Sequence, residues 1–165
     1  AITRLINMGV EPYLIGAALN GVLAQRLVRR ICSKCRAQYE PPRPLRKALE
    51  RMGYEFDAFY KGVGCRKCRN TGYSGRCGVH ELLMIDDRLR DGIVGNMSIL
   101  DLRRIALAAG MITLQHDGFR KVREGLTTIE EIIHVTGDIV GLHDRKVEQS
   151  EETAATSAVA AGHEA

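Results

Sequence analysis

Apolar residues recur at helical spacing through most of the chain and give way to extended runs at two places. Ile2, Leu5 and Ile6 share one face of a helix over residues 1–9, with Gly9 as its stop. Glu11-Pro12 opens a second helix, with Pro at the first helical position, where its missing N–H does no harm. The pattern carries this helix to about Asn20, and Gly21 ends it. Val22 to Val28 is a short apolar run with β-branched ends and predicts a strand. Pro41, Pro42 and Pro44 exclude helix until Leu45, after which Leu45, Leu49 and Met52 fall at helical spacing before Gly53. Asn70 to Arg76 is rich in turn residues, and Val79 to Ile85 predicts a second strand.

The pattern after that is helical. Ser98-Ile99-Leu100-Asp101 resembles a capping box, with Ile99, Leu102, Ile105 and Ala106 as the apolar face and Gly110 as the stop. A helix from about Thr113 to Glu124 turns Leu114, Phe119 and Val122 inward and stops at Gly125. Thr128-x-x-Glu131 repeats the capping logic ahead of Ile129, Ile132, Ile133 and Val135. Asp86-Asp87 and Glu130-Glu131 suit helix N-termini, where carboxylates favour the dipole. From Val147 the chain has almost no large apolar residue, which predicts a disordered tail.

Size and composition fit one ordinary globular domain: 165 residues, 45% hydrophobic and 27% charged. The most apolar stretch, Tyr13 to Val28, is interrupted by Asn20, Gln25 and Arg26 and falls short of the roughly 18 apolar residues of a membrane span. No secretion signal opens the chain. It starts Ala1-Ile2-Thr3, inside a helical pattern, which suggests a piece of a longer protein. The net charge of +4 hides an asymmetry: residues 25–76 hold 14 Lys/Arg against four acids, +10 in all, and leave −6 elsewhere. Such a stretch either faces something anionic or offsets negative charge of its own.

The cysteines supply a source of negative charge. Cys32-Ser33-Lys34-Cys35 and Cys65-Arg66-Lys67-Cys68 are two C-x2-C knuckles separated by 29 residues. Each can point two sulfurs at one centre, and together they complete a tetrahedron around Zn²⁺. The formal −2 of such a centre is eased by Lys34, Arg66 and Lys67, which favour thiolate over thiol. Two disulfides would need an oxidising compartment. The spacing matches neither ferredoxin-type run, and a dithiol redox motif explains one pair but not two. Four protein ligands leave no open position, so the zinc expected on Cys32, Cys35, Cys65 and Cys68 is structural. Cys77 is left over as a small hydrophobe, and His80, His116, His134, His143 and His163 form no ligand spacing.

Several motifs in order resemble one family. Asn7-Met8-Gly9-Val10-Glu11-Pro12-Tyr13-Leu14-Ile15, then Ala24-Gln25-Arg26-Leu27-Val28-Arg29 running into Cys32, are similar to the ATPases that power type II secretion and type IV pilus assembly. So are Thr71-Gly72-Tyr73-Ser74-Gly75-Arg76, Gly78-Val79-His80-Glu81-Leu82-Leu83, Gly110-Met111 through Gly118, and Gly125 to Glu131. The resemblance spans about residues 1–138. It implies an α/β fold, the C-terminal portion of a RecA-like ATPase domain, with an inserted tetracysteine zinc-binding subdomain and a C-terminal helical subdomain. On that basis residues 1–31 end the RecA-like core, 32–76 form the zinc subdomain, 77–146 the mainly helical subdomain, and 147–165 the tail.

The resemblance further implies a homo-hexamer, cytoplasmic and peripheral to the inner membrane, docked on secretion or pilus platform proteins and using ATP and Mg²⁺. No Gly-x4-Gly-Lys-Ser/Thr occurs in the sequence, and Gly62-Val63-Gly64 is too short to count, so the chain alone is expected not to hydrolyse ATP. Arg76 matches the Arg of the family's Gly-Tyr-x-Gly-Arg motif, near the nucleotide; it either offsets phosphate charge or balances the thiolates as a surface residue. Arg26 and Arg29 are expected to be structural or at a subunit interface, and Cys77 stands where the family usually has Thr. A nucleic-acid-binding zinc module is the alternative, motivated by the +10 stretch and weakened by 5% aromatics with no Trp.

Overall fold

Four strands and seven α-helices succeed one another along residues 1–137, the part of the chain that the computed structural model describes. The tail expected from Val147, and the end of the 77–146 segment, lie outside the described residues. Helices α1 (Ile2–Asn7) and α2 (Pro12–Ala18) lead into β1 (Gly21–Ile31). Strand β2 (Arg36–Tyr39), α3 (Arg43–Arg51) and β3 (Phe59–Gly62) follow, then β4 (Tyr73–Met84). Helices α4 (Asp87–Val94), α5 (Ile99–Ala108), α6 (Leu114–Arg123) and α7 (Ile129–Thr136) complete the order, a mixed helix and strand fold.

Two antiparallel pairs organise it. Strand β1 runs against β4, from Gly21 opposite Met84 to Ile31 opposite Tyr73, and β2 pairs with β3 between the knuckles. The long pair is the two expected strands extended toward the cysteines. Between Arg29–Arg76 and Ile31–Tyr73 the register shifts, β4 using one residue more than β1, and Gly75 there takes φ +80°. An extra residue in left-handed conformation suits glycine. This bulge hides the first half of β4 among turn residues in the sequence.

One core gathers Val28 of β1, Leu49 of α3, Phe59 of β3, Val79 of β4, Phe119 and Val122 of α6, and Ile129 and Ile132 of α7. A second joins Ile15, Ile85, Leu89, Ile93 and Ala106, with Ile2, Leu5 and Ile6 packed on it. The caps read from sequence at Ser98 and Thr128 are formed, and Asp86 and Thr113 cap two further helices; each of the four accepts the N–H three residues on. Each such cap stabilises its helix by about 1 kcal/mol.

Four details depart from expectation. Gly21 opens β1 and does not end a helix, since α2 stops at Ala18 and Leu19 is already extended. Helix α3 begins at Arg43, two residues early, because Pro44 falls in its first turn, where no N–H is called for. Ile99 faces outward with 62% of its surface exposed, while Leu102, Ile105 and Ala106 pack inward. The β2–β3 hairpin had no periodic signal; four residues a strand is too short to show alternation.

Candidate metal centre

Each cysteine is placed by backbone bonds. Cys32 follows the last residue of β1, and its N–H donates to the Gly72 carbonyl at 2.9 Å. The N–H of Cys35 closes the first knuckle onto the Cys32 carbonyl at 3.2 Å, and its own carbonyl accepts from Val63 at 2.9 Å. The second knuckle is a single 3₁₀ turn, Arg66–Cys68, in which the Cys65 N–H points at Cys68 Sγ, 3.2 Å away. Arg69 and Asn70 then take positive φ (52° and 61°), reversing the chain so that Thr71 Oγ1 donates to the Cys68 carbonyl at 2.6 Å.

Between the knuckles two backbones touch. A Cβ on Gly62 would stand 1.9 Å from the Gly72 carbonyl oxygen, and one on Gly72, itself at φ +77°, 2.5 Å from the Gly62 oxygen. Only paired glycines allow β3 and the start of β4 to meet here, and that contact sets the distance between the knuckles.

The result is a four-sulfur cluster. Cys32 Sγ lies 3.8 Å from Cys65 Sγ, Cys35 Sγ 3.8 Å from Cys68 Sγ, and Cys65 Sγ 3.7 Å from Cys68 Sγ; all four fall within 4.8 Å of one another. A tetrahedron with Zn–S bonds of about 2.3 Å has sulfur edges of about 3.8 Å. Disulfide sulfurs sit at about 2.05 Å, so these cysteines are unbridged thiols. Cys32, Cys35 and Cys68 are buried and Cys65 partly so.

Electrostatics favour a cation here. Burial raises the Cys68 thiol, but the N–H groups of Cys65 and Gly72 and the neighbouring thiols outweigh it and bring it down to about 6. At Cys35 burial and the other thiols act together, only partly offset by the Gly64 N–H, and push it up to about 12. One sulfur therefore ionises readily at the expense of its neighbours, because thiolates this close repel one another. A divalent cation removes that conflict, which fits the donor set to a tetrathiolate metal.

Arg76 stands apart from this cluster, exposed on β4 in register with Arg29, and among the described residues it has no ion pair. Arg29 is structural, bound to Glu131 and stacked over the Tyr73 ring with its guanidinium carbon 4.2 Å from the centroid. Arg26 is exposed, and its Nη1 donates to the Gln25 carbonyl at 3.2 Å. Cys77 is half-buried against the first core. His116 meets the Tyr54 hydroxyl at 3.2 Å and His80 sits 3.9 Å from Asp117, so neither joins the sulfurs; His143 and His163 lie outside the described residues.

Sequence reasoning missed what anchors the centre. The turn 125–128 before α7 docks beside it: Ile31 N–H donates to the Leu126 carbonyl at 2.9 Å, Thr127 Oγ1 to the Arg29 carbonyl at 2.8 Å, and the Tyr73 hydroxyl meets Thr128 Oγ1 at 3.1 Å. Asp117, which touches none of the four cysteines, was missed as well: it is buried, accepts the His80 N–H at 2.9 Å and pairs with Arg120 and Lys121, joining α6 to β4. A lone threonine pair or aspartate carries no spacing signal, so only the fold reveals these contacts.

The profile of the type II/IV secretion system protein family matches residues 1–134. Over 135 residues the chain is 48% identical to the type IV pilus assembly ATPase PilB of Thermus thermophilus, covering 81% of this chain and 15% of that protein. It is 46% identical over 138 residues to the type II secretion system protein HxcR of Pseudomonas aeruginosa (84% of this chain, 26% of that one). Against the type II secretion system ATPase E of Vibrio cholerae it is 42% identical over 136 residues, with 82% and 27% covered. The chain thus spans between 15% and 27% of the length of these relatives.

Proposed function

From a chain that belongs to the type II/IV secretion system protein family, we infer a role as the part of a hexameric ATPase that follows its phosphate-binding loop. In this reading residues 1–31 end the RecA-like core, residues 32–76 carry a structural zinc on Cys32, Cys35, Cys65 and Cys68, and the helices from residue 77 onward form the mainly helical subdomain. The whole protein hydrolyses ATP with Mg²⁺ in the cytoplasm, peripheral to the inner membrane, and drives type II secretion or pilus assembly through platform proteins. The observation that carries the reading is the family match over residues 1–134, with relatives named as ATPases of both machines.

Bound zinc would supply four bonds to sulfur and no open position, hence a cross-link and not a reaction centre. What the chain's own residues do follows from their contacts: the knuckles fix the start of β4, which carries Arg76 toward whatever lies beyond the exposed strand. We assign Arg76 to the neighbourhood of the nucleotide because an exposed guanidinium beside Arg29, lacking a carboxylate among the described residues, is suited to receive an anion. The nucleic-acid reading loses ground, since the nearby rings of Tyr60, Tyr73 and Tyr39 are already stacked under Arg36, Arg29 and Lys61. No helix of the described residues is long and apolar enough to cross a membrane.

The test is complementation. A full-length protein restored from its gene should hydrolyse ATP, the 165-residue chain alone should not, and Cys65→Ser in the full-length protein should lose metal and turnover together. A full-length sequence without a phosphate-binding loop overturns the reading.

A further inference from the structure

We propose that Cys65 is an oxidation site: hydrogen peroxide joins it to Cys68 as a disulfide and thereby releases the ion from the four-sulfur centre. Among the four knuckle cysteines Cys65 alone is not buried. The residues that follow it, Arg66 and Lys67, are exposed, so the second knuckle is the open side of the centre. Peroxide is little larger than water and reaches a partly buried sulfur that a bulky thiol reagent does not. A sulfur bound to zinc is held as thiolate, the form that attacks peroxide.

The sulfur placed to complete the bridge lies in the same turn. Cys68 Sγ is 3.7 Å from Cys65 Sγ, and the Asn70 N–H closes the turn onto the Cys65 carbonyl at 2.9 Å. A disulfide needs its two sulfurs at about 2.05 Å, an approach that side-chain rotation within one turn supplies. Cys32 Sγ, at 3.8 Å, is almost as near to Cys65 but belongs to the other knuckle. Drawing the knuckles together is barred by Gly62 and Gly72, whose backbones already touch: a Cβ on Gly62 would stand 1.9 Å from the Gly72 carbonyl oxygen. That contact directs the pairing within the second knuckle and away from a bridge across the two.

The step balances. The Cys65 thiolate attacks one peroxide oxygen, the O–O bond breaks, and hydroxide leaves a sulfenic acid behind. The Cys68 thiolate then attacks the Cys65 sulfur, the S–S bond forms and a second hydroxide leaves. Two electrons have passed from the sulfurs to peroxide, and two protons from solvent turn both hydroxides into water. Cys32 and Cys35 remain as two ligands where zinc takes four, so the ion is lost. With it goes the tie between the knuckles, and the start of β4, ahead of Arg76, slackens. A dithiol reductant and fresh zinc reverse the sequence.

This rests on the structural-zinc reading above and adds to it the point where an oxidant enters. The experiment treats the zinc-loaded 165-residue chain with hydrogen peroxide. It follows zinc captured by a chromogenic chelator, thiols counted in denaturant, and the disulfide located by peptide mapping. Zinc release should keep pace with a fall from five thiols to three, and the map should show Cys65 joined to Cys68. Dithiothreitol with added zinc should restore the thiols and the ion, and Cys77→Ser should release zinc at the parent rate. Cys65→His keeps a nitrogen ligand but removes the attacking sulfur, and should hold its ion under peroxide that strips the parent chain. Cys32→His, the same exchange at a buried position, should lose it as the parent does. Should neither variant load zinc, the map of the parent chain decides. Release without a disulfide, a first bridge that includes Cys32, Cys35 or Cys77, or full zinc retention under excess peroxide overturns the proposal. A chain that takes up no zinc refutes the metal centre instead, and the map of its peroxide product then upholds or overturns the Cys65–Cys68 pairing.

Discussion

Glu131 grips Arg29 with both carboxylate oxygens across 102 residues of chain: Oε2 accepts the Arg29 backbone N–H at 2.9 Å, and Oε1 accepts from Nε at 2.9 Å and from Nη2. One carboxylate thereby closes the end of β1 against α7, directly before Cys32. Glu131→Ala would leave the Arg29 N–H without its acceptor and loosen α7. Arg29 is 57% exposed, so water compensates in part, and the expected loss is about 1–2 kcal/mol. Urea unfolding of the two proteins at neutral pH measures it; a change below a few tenths would mean that the pair is ornamental.

The same carboxylate makes stability depend on acid. Burial pushes the Glu131 carboxyl up, but hydrogen bonds from Arg29 and its charge outweigh that and hold it below the ordinary range. Asp117 follows the same rule, burial being outweighed by Lys121 and the His80 N–H. A carboxylate depressed in the native state adds stability above its unfolded pKa of about 4 and loses it as pH falls through the lower native value. Unfolding free energy should therefore be flat near neutrality and fall below about pH 4–5. In Asp117→Asn the acid-dependent fall should shrink; an identical pH profile would remove Asp117 from the account.

Metal removal should be legible in the thiols. With the centre filled, a thiol reagent should reach only Cys77, and slowly, because burial raises its thiol. A chelator should expose the four knuckle cysteines as well and open the region they tie together. Cys65→Ser removes one ligand of four and should release the ion, with a loss of several kcal/mol drawn from the roughly 10–16 kcal/mol that structural zinc contributes in small sites. Full metal occupancy in that variant, read by elemental analysis, would break the assignment.

What the sequence made legible is what local chemistry dictates. Thr128 and Ser98 announce their helices because a side-chain oxygen three residues before a free N–H has one favourable use. The cysteine knuckles are legible for the same reason, sulfur spacing being a local property. Strand β4 was half hidden because its bulge at Gly75 answers to β1 and not to its own neighbours. The Arg29–Glu131 pair was invisible because Glu131 also fits a helix N-terminus, and only the docking of α7 on β1 gives the carboxylate its partner.

Gly62 and Gly72 give the most severe single substitution. A methyl on Gly62 would meet the Gly72 carbonyl oxygen at 1.9 Å, where nothing but backbone could move. That carbonyl is the acceptor of the Cys32 N–H, so relief of the clash would shift a metal ligand. Gly62→Ala is expected to cost upwards of about 3 kcal/mol and to lower zinc affinity in step. Gly53→Ala serves as a control: its Cβ would meet nothing within 4 Å, and although φ +78° strains it, the metal should stay. Equal zinc affinity in both would show that the glycine contact does not set the site.

Arg76 separates structure from chemistry. It lies opposite Arg29 in the β1–β4 register, and like charges across strands repel. With no carboxylate partner among the described residues, Arg76→Ala should leave the stability of this chain within about 0.5 kcal/mol, or raise it slightly. A surface residue kept only to balance the thiolates would behave otherwise, its loss weakening zinc binding. In the full-length protein, on the proposed reading of it as an ATPase, the same change should lower turnover by about 10³-fold or more if the guanidinium acts on phosphate charge as an arginine finger does. Arg76→Lys retains the charge without the planar fork and should recover only part of that loss. Unchanged turnover beside weakened metal binding would return Arg76 to the metal centre and take the nucleotide role away.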